Sequence, residues 1–153
     1  FITSPGSITP FHMDPEHNIL LQIRSDKTMH VFPTHDEETV PPQQSESFAR
    51  GGHRNLAWED RFMDRGSAVH LAPGEAVLMP VKAPHCVRNG PSVSVSFSIT
   101  WRSERSVAEG ELHSLNARLR AKGLPLVTVG HKPETQWIGR ALFRLVNRLG
   151  WVA

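Results

Sequence analysis

The sequence predicts a mainly β chain, an antiparallel barrel or sandwich over residues 1–101, followed by two α-helices over residues 102–153. Three observations carry that expectation. Between Ile8 and Trp101 the apolar runs are short and separated by turn residues, as in closed antiparallel folds. From Ser92 to Thr100, serine or threonine alternates without a break with Val93, Val95, Phe97 and Ile99, the two-residue period of a strand. After Trp101 the apolar period lengthens to that of an amphipathic helix.

The elements follow in order. Asn18–Arg24 and Lys27–Phe32 are strand-like runs separated by Ser25-Asp26, a connection of hairpin length. Paired across that turn, Arg24 faces Lys27, Gln22 faces Met29 and Leu20 faces Val31, which puts Asn18, Leu20, Lys27, Met29 and Val31 on one side. A lysine thus ends a mostly apolar stripe. From Pro33 to Arg65 the chain turns polar, with Pro41-Pro42 and Gly51-Gly52, which predicts a long excursion with at most short helices; loops of this length are functional or disordered. Ala68–Leu71 and Ala76–Met79 flank Ala72-Pro73-Gly74 and read as a further hairpin. In the alternating strand the Val/Phe/Ile side is expected to be buried in apolar surroundings and the serine side to be small and polar. Leu112, Leu115 and Leu119 mark one helix ending near Gly123. Trp137, Ile138, Ala141, Leu142, Leu145 and Leu149 mark a second ending near Gly150. The two helices either cover the β-core or form a homodimer interface.

Composition excludes several classes. With 153 residues, 39% of them hydrophobic, the chain can bury one sizeable core. No run approaches the roughly 18–20 apolar residues of a membrane span, and the first residues lack a secretory pattern, so the expectation is a soluble cytoplasmic protein. The single cysteine, Cys86, excludes an internal disulfide and Cys-rich zinc modules. Residues 1–101 hold 8 basic and 11 acidic side chains, and residues 102–153 hold 9 and 4. A basic tail permits contact with nucleic acid, but the stripe of Arg140, Arg144 and Arg148 is too short to carry that reading, and a solvated helical face is preferred.

The chemistry-bearing stretch is Thr9-Pro10-Phe11-His12-Met13-Asp14. Residues i and i+2 of a strand project to one side, so His12 and Asp14 present an imidazole nitrogen and a carboxylate oxygen to one point. Alone, such a pair reads equally as a surface His and Asp. His85, in Ala83-Pro84-His85-Cys86-Val87, supplies a third donor from another strand. Two histidines and one carboxylate with the remaining positions open is the facial triad of non-haem Fe(II) oxygenases; a structural zinc site would use four closed ligands.

The run His12-Met13-Asp14-Pro15-Glu16-His17-Asn18, then Gln22-Ile23, Lys27, Val31-Phe32-Pro33, and later Pro84-His85 and Asn89-Gly90, resembles the JmjC and cupin-like hydroxylases, in the branch of the asparaginyl hydroxylase of hypoxia-inducible factor and its bacterial cupin-like relatives. The resemblance covers about residues 2–101 and is ordered and multi-part. It implies a double-stranded β-helix (cupin or jelly-roll) core and dependence on Fe(II), 2-oxoglutarate and O2. It makes His12, Asp14 and His85 the iron ligands and Lys27 the partner of the distal carboxylate of 2-oxoglutarate. A cation on a largely apolar face needs such a counter-charge. Thr9 matches a hydroxyl holding the same carboxylate, Asn18 a polar residue lining the pocket, and Ser96 the position of an asparagine near the cosubstrate. The serine is a departure, as are Ser25-Asp26 in place of a glycine turn and the lack of tyrosine. Relatives carry earlier strands, so a fragment lacking N-terminal strands is expected.

The resemblance implies hydroxylation of a C–H bond with conversion of 2-oxoglutarate and O2 to succinate and CO2, or demethylation where that carbon sits on nitrogen. A protein, an RNA or a small molecule all remain open as substrate, with Asp36-Glu37-Glu38 favouring a basic partner. Two other classes stay open: a catalytically silent metal-binding cupin acting as a regulatory or ligand-sensing module, and a cupin-like isomerase or other metalloenzyme that uses no 2-oxoglutarate. Fold alone does not establish activity.

Overall fold

The computed structural model describes residues 1–130 and 133–150 and divides into two compact units. The first comprises Phe1–Thr39 and Arg54–Arg102; the second comprises Val40–His53 and the chain from Ser103 onward. The helical part of the chain therefore takes in a piece of the central excursion as well as the C-terminal region.

The first unit holds strands β1 (Ile2–Thr3), β2 (Ile8–His12), β3 (His17–Arg24), β4 (Lys27–Val31), β5 (Ser67–Leu71), β6 (Ala76–Met79), β7 (His85–Asn89) and β8 (Ser94–Trp101). They form two four-stranded sheets, in the orders β1-β8-β3-β6 and β2-β7-β4-β5, with every pairing antiparallel. Leu20 and Met79 from one sheet pack with Met29 and Leu71 from the other, and Val31, Val69, Val77 and Val87 close around them. Two facing sheets in this order, sharing one apolar layer, are a jelly-roll, the double-stranded β-helix architecture.

That order corrects two expected hairpins. β3 and β4 lie in different sheets, and so do β5 and β6. The two-residue link Ser25-Asp26 carries the chain from one sheet to the other, with Ser25 in the left-handed region at φ 63°. Gln22 holds this corner from inside, its side-chain amide donating to the carbonyls of Arg24 (2.7 Å) and Ser25 (2.9 Å). Gly90 lies against the Asp26 carboxylate, where a Cβ would collide. The facial assignment survives the correction, because the inner faces of both sheets point at the same core. Asn18, Leu20, Lys27 and Met29 are all buried, and Val31 packs against the apolar cluster.

The alternating strand β8 is turned the other way from the sequence expectation. Ser94 and Ser96 are buried at 0% and 4% exposure, whereas Phe97 and Ile99 are exposed at 57% and 53%. Cross-strand partners place Phe97 beside Leu21 and Ile99 beside Ile19, and Ile19 beside Leu78. With Ile2 and Ile23 also exposed, the outer face of this sheet is a contiguous apolar surface. The serines face inward because the interior holds polar partners. Ser96 donates to Gln22 Oε1 at 2.7 Å, Gln22 donates to Ser94 Oγ at 3.0 Å, and Ser98 donates to Asn18 Oδ1.

In the second unit α1 (Pro42–Ala49) packs on α2 (Glu104–Ala121), and α2 and α3 (Pro133–Arg148) pack around Leu115, Leu119 and Val146. α2 starts at a reciprocal cap, in which the backbone N–H of Ser106 donates to Ser103 Oγ and that of Ser103 donates to Ser106 Oγ. Arg120 reaches α1 through two 2.9 Å bonds to the buried Glu46. Along α3, Gln136 and Val146 are buried, while the apolar stripe of Trp137, Ile138, Leu142, Leu145 and Leu149 is exposed. No helix among the described residues is long and apolar enough to cross a membrane.

Candidate metal centre

β2 is an edge strand of its sheet, which tolerates Pro10 because a proline there leaves no ladder bond unmade. Its pairing with β7 shifts register between Thr9 and His12: Thr9 lies opposite Val87, but His12 lies opposite His85. Three residues on β2 therefore answer two on β7. The extra residue reverses the side to which β2 points, bringing His12 onto the inner row that already contains His85. The two imidazoles sit 4.1 Å apart between ring centres. Asp14 follows two residues later, just past the end of the strand.

The donor atoms of His12, Asp14 and His85 all lie within 4.8 Å of one another. Asp14 Oδ2 is 3.9 Å from His12 Nε2 and 3.8 Å from His85 Nε2. On each histidine the far nitrogen is committed elsewhere: His12 Nδ1 lies 2.7 Å from the Pro10 carbonyl, and His85 Nδ1 lies 2.8 Å from the Ala83 carbonyl. A carbonyl only accepts, so on each ring Nδ1 carries a hydrogen, and Nε2 is the nitrogen turned toward the carboxylate. The other carboxylate oxygen, Oδ1, accepts from Arg54 Nη1 at 2.9 Å. What remains at the centre is two imidazole Nε2 atoms and one carboxylate oxygen, a donor set that fits Fe(II) with open positions.

Burial and the neighbouring His12 lower the pKa of His85 to about 4 from its usual value near 6.5. The imidazole is therefore neutral and ready to donate at neutral pH. Between those two pH values the unfolded chain takes up a proton that the folded chain refuses, so stability of the metal-free protein rises with pH across this window. The metal-free melting midpoint is expected to fall as pH is lowered from 6.5 toward 4. The slope should be shallower in His85→Asn, and equal slopes in the two proteins would remove His85 as its source.

The remaining sequence-derived residues are distributed over the two inner faces. Lys27, 5% exposed, opens β4 opposite Asn89 on one side and Leu71 on the other. Burial alone pushes its ammonium below the usual lysine pKa, and no carboxylate among the described residues pairs with it. Thr9 lies in the row of Val87 and Met29 but at the sheet edge, where it is exposed. Asn18 and Ser96 are buried on the opposite sheet, engaged with Ser98 and Gln22 respectively. Arg54 was not foreseen. It lies 40 residues from Asp14 in a polar segment whose sequence has no periodicity to assign it.

No protein-family model matches the chain. It is 30% identical over 109 residues to Lysine-specific demethylase JMJ30 of Arabidopsis thaliana, a match covering 65% of this chain and 24% of that protein. It is 32% identical over 103 residues to Jumonji C domain-containing protein 5 of Drosophila melanogaster, covering 60% and 25%. With Lysine-specific demethylase 8 of Danio rerio it shares 26% over 102 residues, covering 63% and 24%. The chain thus spans about a quarter of the length of these relatives. The solved structure of E. coli ycfD aligns with 96% of this chain and 39% of that one, at 16% identity and a TM-score of 0.48. The His12, Asp14 and His85 cluster on a jelly-roll core thus belongs to a chain that is similar in sequence to JmjC-domain proteins.

Proposed function

We propose that this chain carries the centre of an Fe(II)- and 2-oxoglutarate-dependent oxygenase that hydroxylates a C–H bond of a protein side chain. The observation that carries the reading is the coexistence, on one inner sheet face, of an open two-histidine, one-carboxylate cluster and a buried lysine with which no carboxylate among the described residues pairs. His85 lies opposite Val31, and Lys27 opens the same strand four residues earlier. At about 3.3 Å per residue that is a separation of about 13 Å. A lysine side chain and a five-carbon dicarboxylate lying end to end span such a gap.

Bound at this cluster, Fe(II) supplies the redox chemistry by which 2-oxoglutarate and O2 become succinate and CO2 and one oxygen atom enters the substrate C–H bond. The protein's own residues do the positioning. His12 and His85 present Nε2 atoms whose orientation is fixed by the Pro10 and Ala83 carbonyls. Asp14 provides the one negative charge. Lys27 anchors the far carboxylate of the cosubstrate, and Met29, Leu71 and Met79 form an apolar layer in the same interior.

A protein substrate is supported by the names of two relatives, which are lysine-specific demethylases. If the attacked carbon sits on nitrogen, the hydroxylated product loses formaldehyde; elsewhere the hydroxyl stays. The charge argument for a basic partner weakens in the fold, because Asp36 is bound by Arg65 at 2.6 and 2.7 Å and Glu38 by Arg61 at 2.7 Å. Succinate formation from 2-oxoglutarate in air tests the reading. Slow Fe(II)-dependent turnover, lost in His85→Ala, is expected; a folded protein that binds both metal and 2-oxoglutarate without making succinate would be the silent cupin instead.

The exposed stripe of α3 also supports a second copy of the chain as partner. Ile138, Leu142, Leu145 and Leu149 recur at intervals of 4, 3 and 4 residues, the spacing with which two helices pack side by side. Leu142→Arg is expected to halve the mass measured in solution by light scattering. A mass unchanged by the substitution removes this face from any assembly.

A further inference from the structure

We propose that Arg54 is a positioning residue that keeps the Asp14 carboxylate single-toothed toward the metal, and so holds open a coordination position for the cosubstrate. The inference rests on the metal-centre reading above. Its basis is that the two oxygens of Asp14 face different partners: Oδ1 takes the Arg54 guanidinium at 2.9 Å, while Oδ2 faces both histidine Nε2 atoms. Three protein donors leave three positions on a six-coordinate ion. A chelating 2-oxo acid takes two and O2 needs the third, so an aspartate that swung round to bind through both oxygens would fill a position the reaction requires. A charge-assisted bond to the outer oxygen prevents that rotation.

The surrounding backbone places Arg54 for this task. The Arg54 carbonyl accepts the Met13 N–H at 3.1 Å, the Leu56 N–H donates to the Phe11 carbonyl at 2.9 Å, and Asn55 bridges His12 between them. Residues 54–56 therefore run as a short strap along the free edge of β2, alongside the stretch that bears the ligands. Trp58 and Phe62 anchor the same segment against Phe11, with ring centres 5.3 and 6.2 Å away. The strap's backbone bonds do not involve the guanidinium, and the Arg54 side chain is 55% exposed. Removing that side chain should therefore disturb the carboxylate and leave the fold in place.

Co(II) titration of the metal-free protein tests this, because its visible ligand-field bands report affinity and coordination together. Arg54→Ala is expected to weaken Co(II) binding about 10- to 100-fold, as loss of a bond to a metal ligand does, and to alter the band shape, with an unchanged metal-free melting midpoint. Arg54→Lys, which returns a cationic donor, should recover most of the affinity. In Co(II)-loaded Arg54→Ala, 2-oxoglutarate should perturb the bands at higher concentration than in the unsubstituted protein. Identical Co(II) affinity and bands in Arg54→Ala would overturn the proposal while leaving the metal centre standing, and a loss matched by an equal fall in metal-free stability would make Arg54 a stabiliser of the fold only. Failure of the unsubstituted protein to bind Co(II) would overturn both the proposal and the metal centre beneath it.

Discussion

Asp14→Ala is expected to abolish tight Fe(II) binding and to leave the metal-free fold nearly unchanged. Asp14 contributes the only carboxylate among the three donors, and removing it leaves two imidazoles beside the Arg54 cation. An affinity loss of about a thousandfold or more, roughly 4 kcal/mol, is expected. The fold is spared because the Asp14 side chain is partly exposed and Arg54 can return to water. Asp14→Asn separates charge from shape, since its amide oxygen still accepts from Arg54 but it brings no charge to the metal. Competition against a chromophoric chelator measures both variants. Near-normal Fe(II) affinity in Asp14→Ala would mean that the cluster is a hydrogen-bonded histidine pair and not a metal site.

Lys27→Met is expected to keep the metal and to lose the cosubstrate. Lys27 is buried in register with Asn89 and Leu71, no carboxylate among the described residues pairs with it, and burial already lowers its pKa. An unpaired buried cation costs stability, so methionine of similar length should hold or raise the metal-free melting midpoint. The affinity for 2-oxoglutarate should fall by about 100-fold, near 2.7 kcal/mol, which is the scale on which truncating one member of a buried charge pair is felt. Unchanged 2-oxoglutarate affinity would place the dicarboxylate elsewhere. A large drop in stability would show instead that Lys27 serves the fold.

Legibility in the sequence followed the range of the physics involved. The His12 and Asp14 pair was readable because strand period alone puts i and i+2 on one side, and His85 because two histidines and a carboxylate form a known donor set. Strand runs were readable, but their partners were not. A two-residue link such as Ser25-Asp26 specifies a sharp reversal without saying whether the chain returns to the same sheet or crosses to the facing one. Because both choices send Lys27 and Met29 to the core, the side-chain assignment held while the pairing failed.

β8 misled for a different reason. The rule that apolar residues face inward assumes a dry interior, yet the interior beside Gln22 and Asn18 is polar, and Ser94, Ser96 and Ser98 match it by hydrogen bonds. Arg54 was out of reach because its role depends on residues 54–56 pairing with β2, a contact encoded by no local spacing. The β2 bulge was equally hidden, although Pro10 beside a ligand strand is its natural companion.

The most direct measurement is an anaerobic titration of the Fe(II)-loaded protein with 2-oxoglutarate, followed by the weak visible charge-transfer band that arises only when both occupy one site, with Lys27→Met as control. The expected result is a saturable band that needs a higher 2-oxoglutarate concentration in the variant. A folded protein that binds Fe(II) and shows no band at saturating 2-oxoglutarate would contradict the oxygenase centre.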